Sequence, residues 1–233
     1  MPNSATSANA FALCDAVNRL EQGAGAMVTS SGLSACTQAL LAFVGAGDHV
    51  LMPDSVYGPQ RMFCETILRR FGVETTFYDP RIGADMDILI KANTRVVYTE
   101  APGSLTFEMQ DIPAIVKAAH AHGAIVIMDN TWAGPLYFKP LTVGVDICVE
   151  AATKFIAGHS DLVMGIIIAR TDELYRLLLR ADGRNRLPRR LLHGPSRSAN
   201  HEGPHADAVC SGPHACTLAA RPPRSHAGAL SAA

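Results

Sequence analysis

An aspartate and a lysine 25 residues apart, Asp129 and Lys154, have the most chemistry to offer in this chain. Each stands where a short apolar run ends. Ala124 to Met128 reads as a strand that delivers Asp129-Asn130-Thr131-Trp132, and the next short strand delivers Ala151-Ala152-Thr153-Lys154. In an α/β crevice, a carboxylate at the carboxyl end of one buried strand and an amine just past the next converge on one small molecule. The pair suits pyridoxal phosphate: the amine condenses with the aldehyde, and the carboxylate keeps the ring nitrogen protonated so that the ring accepts electrons. Taken alone, an Asp ending a strand and a Lys after a Thr are also common as solvated loop residues.

Two upstream stretches could hold the rest of such a molecule. Ser30-Ser31-Gly32-Leu33-Ser34 opens an apolar helix predicted to run to about Val44. A small-residue turn at a helix start leaves backbone N–H groups free, and the helix dipole favours an anion there, so this is the candidate phosphate cup. The same pattern also serves as a plain N-cap. Tyr57-Gly58-Pro59 follows the strand His49 to Pro53 and lies 25 residues after Gly32. Its ring could cover a flat heterocycle or simply pack in the core. Thr153 is placed to give its hydroxyl to the phosphate. Gly23-Ala24-Gly25 lacks the third glycine of a dinucleotide fingerprint. His159 and Asp161 have no second histidine in a ligand spacing, so no metal is expected there; turn-forming and lysine-orienting roles are.

The elements that must position these residues alternate. A short amphipathic helix, Phe11 to Gln22 closed by Gly23, precedes the strand Ala26 to Thr29. A helix opens at Tyr57 and ends near Arg70, Val73 to Tyr78 is a strand, Ile82 to Ala92 a helix and Thr94 to Thr99 a strand. Asp111 caps a helix with a proline in its first turn that runs to His122 and stops at Gly123. After Lys154, Leu162 to Arg170 reads as an apolar, β-branched strand, buried from Leu162 to Ala169, and Thr171 caps the next helix. Strands alternating with helices predict an α/β fold, a mostly parallel sheet with helices on both faces.

Composition narrows the setting. A chain of 233 residues with 48% hydrophobic content is ample for a core, and a net charge of −1 argues against a dedicated nucleic-acid surface. No apolar run reaches the roughly 18 residues of a membrane span. The opening Met1-Pro2-Asn3-Ser4 has neither the basic region nor the apolar centre of a signal peptide. Cys36, Cys64 and Cys148 sit in apolar segments without Cys-x-x-Cys spacing and read as small core residues of a reducing compartment. The expected location is the cytoplasm.

The phrases Met128-Asp-Asn-Thr-Trp-Ala133 and Ala152-Thr-Lys-Phe-Ile-Ala-Gly-His-Ser-Asp161 closely resemble the trans-sulfuration (Cys/Met metabolism) family of pyridoxal-phosphate enzymes, and the likeness covers roughly 11–180. It implies the large domain of a fold type I, transferase-like enzyme. It also implies that Gly32 and Leu33 give backbone N–H groups to the cofactor phosphate, that Tyr57 stacks on the ring, and that Asp129, Thr153 and Lys154 complete the cofactor site. The catalytic residues it implies are Lys154, as α-proton base, and Tyr57. Many relatives carry a serine two residues before the threonine; Ala151 stands there here, so one phosphate hydrogen bond, worth about 1 kcal/mol net, is expected to be absent.

Asp129-Asn130-Thr131-Trp132 and Glu100-Ala-Pro-Gly-Ser-Leu-Thr-Phe-Glu108 resemble the branch that eliminates at Cβ, cleaving L-cystathionine to homocysteine, pyruvate and ammonia in methionine biosynthesis. Relatives acting at Cγ commonly carry Phe or Tyr in place of Trp132, and a γ-acting enzyme stands as the alternative. Family members form homotetramers built of dimers.

The ends depart from this pattern. Residues 1–10 read as a short leader without the family's tyrosine and arginine, 11–181 as the cofactor-binding domain, and 182–233 as a disordered tail in place of a second domain. That tail has no Ile, Phe, Tyr, Trp, Met or Lys and resembles a GC-rich gene read out of frame; its histidines, Cys210 and Cys216 read as accidental composition. A non-catalytic remnant is therefore a second expectation for the chain as written, with weak cofactor binding and little turnover.

Overall fold

The structure, a computed structural model, describes residues 8–183. The expectations for the leader and for the tail with Cys210 and Cys216 lie almost wholly outside the described residues. Seven strands form one sheet: β1 (Gly25–Thr29), β2 (His49–Pro53), β3 (Glu74–Tyr78), β4 (Thr94–Glu100), β5 (Ile125–Asp129), β6 (Ile147–Glu150) and β7 (Gly165–Ala169), in the order β1-β7-β6-β5-β4-β2-β3. From β6 through β3 neighbours run parallel, and β7 alone runs against both β6 and β1.

Helices cover both faces because successive residues of each strand are apolar on both sides. On one face, α2 (Gly32–Leu41), α3 (Gly58–Phe63) with its continuation, and α6 (Asp172–Ala181) pack Ala35, Cys36, Leu40, Leu68 and Leu178 against Val50, Tyr98, Ile127, Val149 and Ile167. On the other, α1 (Ala8–Glu21) and α4 (Ile112–Ala121) pack Val17, Ile115 and Ala119 against Val97, Val126, Met128, Cys148 and Ile168. A short α5 (Gly134–Tyr137) follows β5.

The helix ends follow their caps. Asp111 accepts from the Ala114 N–H at 3.1 Å, Pro113 lies in the first turn, and Gly123 turns left-handed at φ 73°. Thr171 accepts from the Leu174 N–H at 3.3 Å, with Asp172 and Glu173 at the positive end of α6 and Arg180 near the negative one.

Several boundaries differ from expectation: α1 starts at Ala8 rather than Phe11, and α2 ends at Leu41 rather than near Val44. The left-handed turn that ends α1 is at Gln22, φ 60°, one residue before the predicted glycine. The helix predicted over Ile82 to Ala92 is a 3₁₀ segment, Gly83–Leu89, because Lys91 and Thr94 close a turn of their own: the Lys91 N–H donates to Thr94 Oγ1 and the Thr94 N–H to the Lys91 carbonyl. The helix after Tyr57 widens into a π-turn over Cys64–Leu68. The strand predicted from Leu162 starts only at Gly165, and Val163 is 70% exposed. Thr153 binds both the N–H and the carbonyl of Met164, so that residue cannot join the ladder.

Candidate active site

The carboxyl ends of the parallel strands carry acids: β4 ends in Glu100, β5 in Asp129 and β6 in Glu150. Glu100 and Asp129 are register partners, and both face α2. The Cys36 thiol of α2 donates to Asp129 Oδ2 at 3.5 Å, and the Thr131 N–H donates to Oδ1 at 2.9 Å. Desolvation pushes the Asp129 carboxyl above the usual carboxylate range, and among the described residues no cation pairs with it. Glu100 is buried; desolvation first and the charge of Asp129 second push it up to about 7. It accepts from the Tyr57 N–H at 2.8 Å and from Ser104 Oγ at 2.6 Å, so it anchors the chain at Tyr57, whose side chain is half exposed at 44%.

The same network reaches the lysine. Thr131 Oγ1 accepts from the Ala151 N–H at 2.7 Å, and the Ala151 carbonyl accepts from the Lys154 N–H at 2.9 Å. The Lys154 side chain is exposed and has no hydrogen-bond partner among the described residues. Gly32 lies over Ala151 so closely that a Cβ added to it would meet the Ala151 Cβ at 2.5 Å. Ser31 caps α2 through the Ser34 N–H, leaving the N–H groups of Gly32 and Leu33 without partners among the described residues. Gly165 closes the cup from below: a Cβ there would stand 2.2 Å from the Ser31 carbonyl oxygen. The fold thus gathers Gly32, Leu33, Tyr57, Asp129, Thr153 and Lys154 at one end of the sheet. The Thr153 hydroxyl gives its proton to the Met164 carbonyl at 3.1 Å, so donation to a phosphate needs it to turn. His159 binds the Ala157 carbonyl at 2.9 Å, a turn contact; among the described residues nothing ties it or Asp161 to Lys154.

Trp132 stands between Phe107, edge-on at 6.0 Å, and Phe155 at 6.3 Å, making an exposed aromatic row beside Lys154. Behind the strand ends, on the α1 side, Glu21 Oε1 accepts from Asn130 Nδ2 at 3.0 Å and from the Cys148 thiol at 3.7 Å. Glu150 joins them, 2% exposed, and desolvation followed by contact with Glu21 pushes it up to about 10. Glu21, Cys148 and Glu150 hold their ligand atoms within 4.8 Å of one another. With Glu150 and Cys148 protonated at neutral pH, they form a closed polar cluster.

Glu100, Cys36, Tyr98, Glu21 and Glu150 escaped the sequence reading as site residues. For the acids a signal existed, since a carboxylate ends each of three successive parallel strands; for Cys36 and Tyr98 only packing shows it.

The gathered residues fit pyridoxal phosphate. They offer a desolvated acid without a cation for the ring nitrogen, free helix N–H groups over a floor that only a glycine clears for the phosphate, and an exposed amine for the aldehyde. Fold and site together define the large domain of a fold type I pyridoxal-phosphate enzyme. The crystal structure of metB from Corynebacterium glutamicum is similar to it at TM-score 0.71 and 30% identity, over 76% of this chain and 46% of that one. Residues 5–208 match the family described as Cys/Met metabolism PLP-dependent enzyme, and the chain belongs to that family, whose cofactor is pyridoxal phosphate.

Among curated relatives, the chain is 44% identical over 160 residues to cystathionine beta-lyase MetC of Escherichia coli K12, covering 68% of this chain and 40% of that protein. It is 48% identical over 166 residues to an L-alanine/L-glutamate racemase of Wolbachia pipientis wMel, covering 71% and 40%. The chain spans less than half the length of these relatives. No helix among the described residues is long and apolar enough to cross a membrane.

Proposed function

We propose that the whole protein is a pyridoxal-phosphate-dependent carbon–sulfur β-lyase that cleaves L-cystathionine to homocysteine, pyruvate and ammonia. In this reading it serves methionine biosynthesis in the cytoplasm as a homotetramer built of dimers. The observation that carries the reading is Asp129, a desolvated acid on the α2 side of the sheet with no cation beside it among the described residues, in a chain of this family.

Asp129 holds the proton on the ring nitrogen. The N–H groups of Gly32 and Leu33, with the Thr153 hydroxyl, hold the phosphate, and Ala151 floors the cup. Tyr57 covers the ring and keeps water from it, steadied through its own N–H by Glu100. Lys154 would tether the cofactor through its exposed amine, and that amine, when free, would take the proton from the substrate Cα. When bound, the cofactor supplies the electron sink for the charge left at that carbon. The choice of elimination at Cβ rests on the resemblance at Thr131-Trp132 and Pro102-Gly103-Ser104, since γ-acting relatives commonly carry Phe or Tyr in place of Trp132.

The protein with pyridoxal phosphate and L-cystathionine is expected to release pyruvate, and borohydride is expected to fix the cofactor to Lys154. Fixation elsewhere, or none, sinks the reading. The Wolbachia relative favours a second reading, since a racemase needs the same proton removal at Cα. L-Alanine converted to D-alanine with no pyruvate from L-cystathionine selects it.

A further inference from the structure

Asp129 is held on its buried side by groups that no role at the cofactor yet explains. Cys36, in the second turn of α2, is 4% exposed and places its sulfur 3.5 Å from Asp129 Oδ2. Tyr98 lies on the same sheet face, two residues before Glu100, and is fully buried. Its hydroxyl lies within electrostatic reach of Cys36 and Asp129 and has no hydrogen-bond partner among the described residues.

Burial first, and then the charge of Asp129, push the Cys36 thiol well above its ordinary range; burial does the same to Tyr98. Both groups therefore keep their protons. The retained thiol proton finds its acceptor at Asp129 Oδ2, 3.5 Å from the sulfur. With the Thr131 N–H on Oδ1, each carboxylate oxygen has one fixed donor, which sets the plane in which the acid meets a ligand.

We propose that Cys36 is a positioning residue for Asp129 that sets how firmly the acid grips the protonated ring nitrogen of the cofactor. This rests on the cofactor reading above. An S–H is a weak donor, so the bond fixes orientation while leaving the carboxylate basic enough to hold the ring proton.

The test titrates the full chain with pyridoxal phosphate labelled with 15N in its ring. It reads the dissociation constant by absorbance, the ring-nitrogen shift by NMR, and the melting temperature of the cofactor-free protein. Cys36→Ala is expected to weaken binding about three- to ten-fold, the scale of one ordinary hydrogen bond since the thiol is a weak donor, and to move the ring-nitrogen signal. Cys36→Ser, which keeps a donor, is expected to restore binding to within about two-fold. If Cys36→Ala does not fold, Cys36→Val, nearer in volume, carries the same expectation. Unchanged affinity and an unchanged ring signal in the apolar variant overturn the role of Cys36 while leaving the cofactor reading intact. So does a serine variant as weak as the alanine one. No binding by the unaltered chain sinks the cofactor reading, and this inference with it.

Discussion

The ends of β5 and β6 present two buried acid groups to opposite sides of the sheet. Facing α2, Asp129 and Glu100 stand beside weak, fixed donors with the open cup in front of them. Facing α1, Glu21, Cys148 and Glu150 are sealed in with Asn130. The same penalty, removal of carboxylates from water, is met differently. On the sealed side Glu150 holds its proton to about pH 10, whereas on the open side Asp129 faces the cup with no cation beside it among the described residues. Burial of an acid thus marks a ligand site only where no proton or partner has already answered it.

Three changes test that contrast. Asp129→Ala removes the acid of the open side. Cofactor affinity should fall ten-fold or more, the equivalent of about 1.5–3 kcal/mol for a hydrogen bond to a charged group, while the melting temperature of the cofactor-free protein holds or rises. A large loss of apo stability with unchanged affinity would make Asp129 one more sealed acid.

On the sealed side, Glu150 keeps its proton to about pH 10 when folded and loses it near its ordinary value of 4.5 when unfolded. Folding therefore binds a proton in between, and stability declines as pH rises through that window, by up to ~1.4 kcal/mol per unit. Glu100 adds to the decline only up to about pH 7. Between pH 7 and 8.5, urea melts should show the wild type losing stability and Glu150→Gln losing much less. Parallel slopes would mean that the carboxyl is ionised after all.

The smallest effect is expected from Ser104→Ala. It deletes a 2.6 Å donor that lowers the Glu100 pKa, so Glu100 should titrate above about 7, by less than roughly one unit. The pH dependence of cofactor binding, or a carboxyl NMR titration, reads the shift. A downward move would show that Ser104 does not donate to this acid.

Much of the open side was legible because its residues sit at element ends, where local signals are strongest. Asp129 ends an apolar run, Ser31-Gly32 begins a helix, and the caps at Asp111 and Thr171 fixed the starts of two helices. The sealed side was opaque, since Glu21 lies at the end of an amphipathic helix and a glutamate there reads as solvated. Only packing against Asn130, far along the chain, buries it. Leu162 and Val163 misled for the opposite reason: their apolar character, continuous with the β-branched run that follows, predicts a strand, but Thr153 takes the backbone of Met164 and postpones the pairing. Cys36 read as a core thiol, and it is one, yet one of its neighbours is the acid.

Asp129 and Asn130, adjacent in the chain, point to opposite sides of the sheet, one toward Cys36 and the other toward Glu21. A single-residue deletion within β5 would bring Asn130 to the crevice side and an insertion would bring Met128 there, and either would turn Asp129 toward the sealed carboxyls. Length changes between Gly123 and Trp132 should therefore be far less tolerated than point substitutions at the same positions, a spacing constraint that an indel scan would expose.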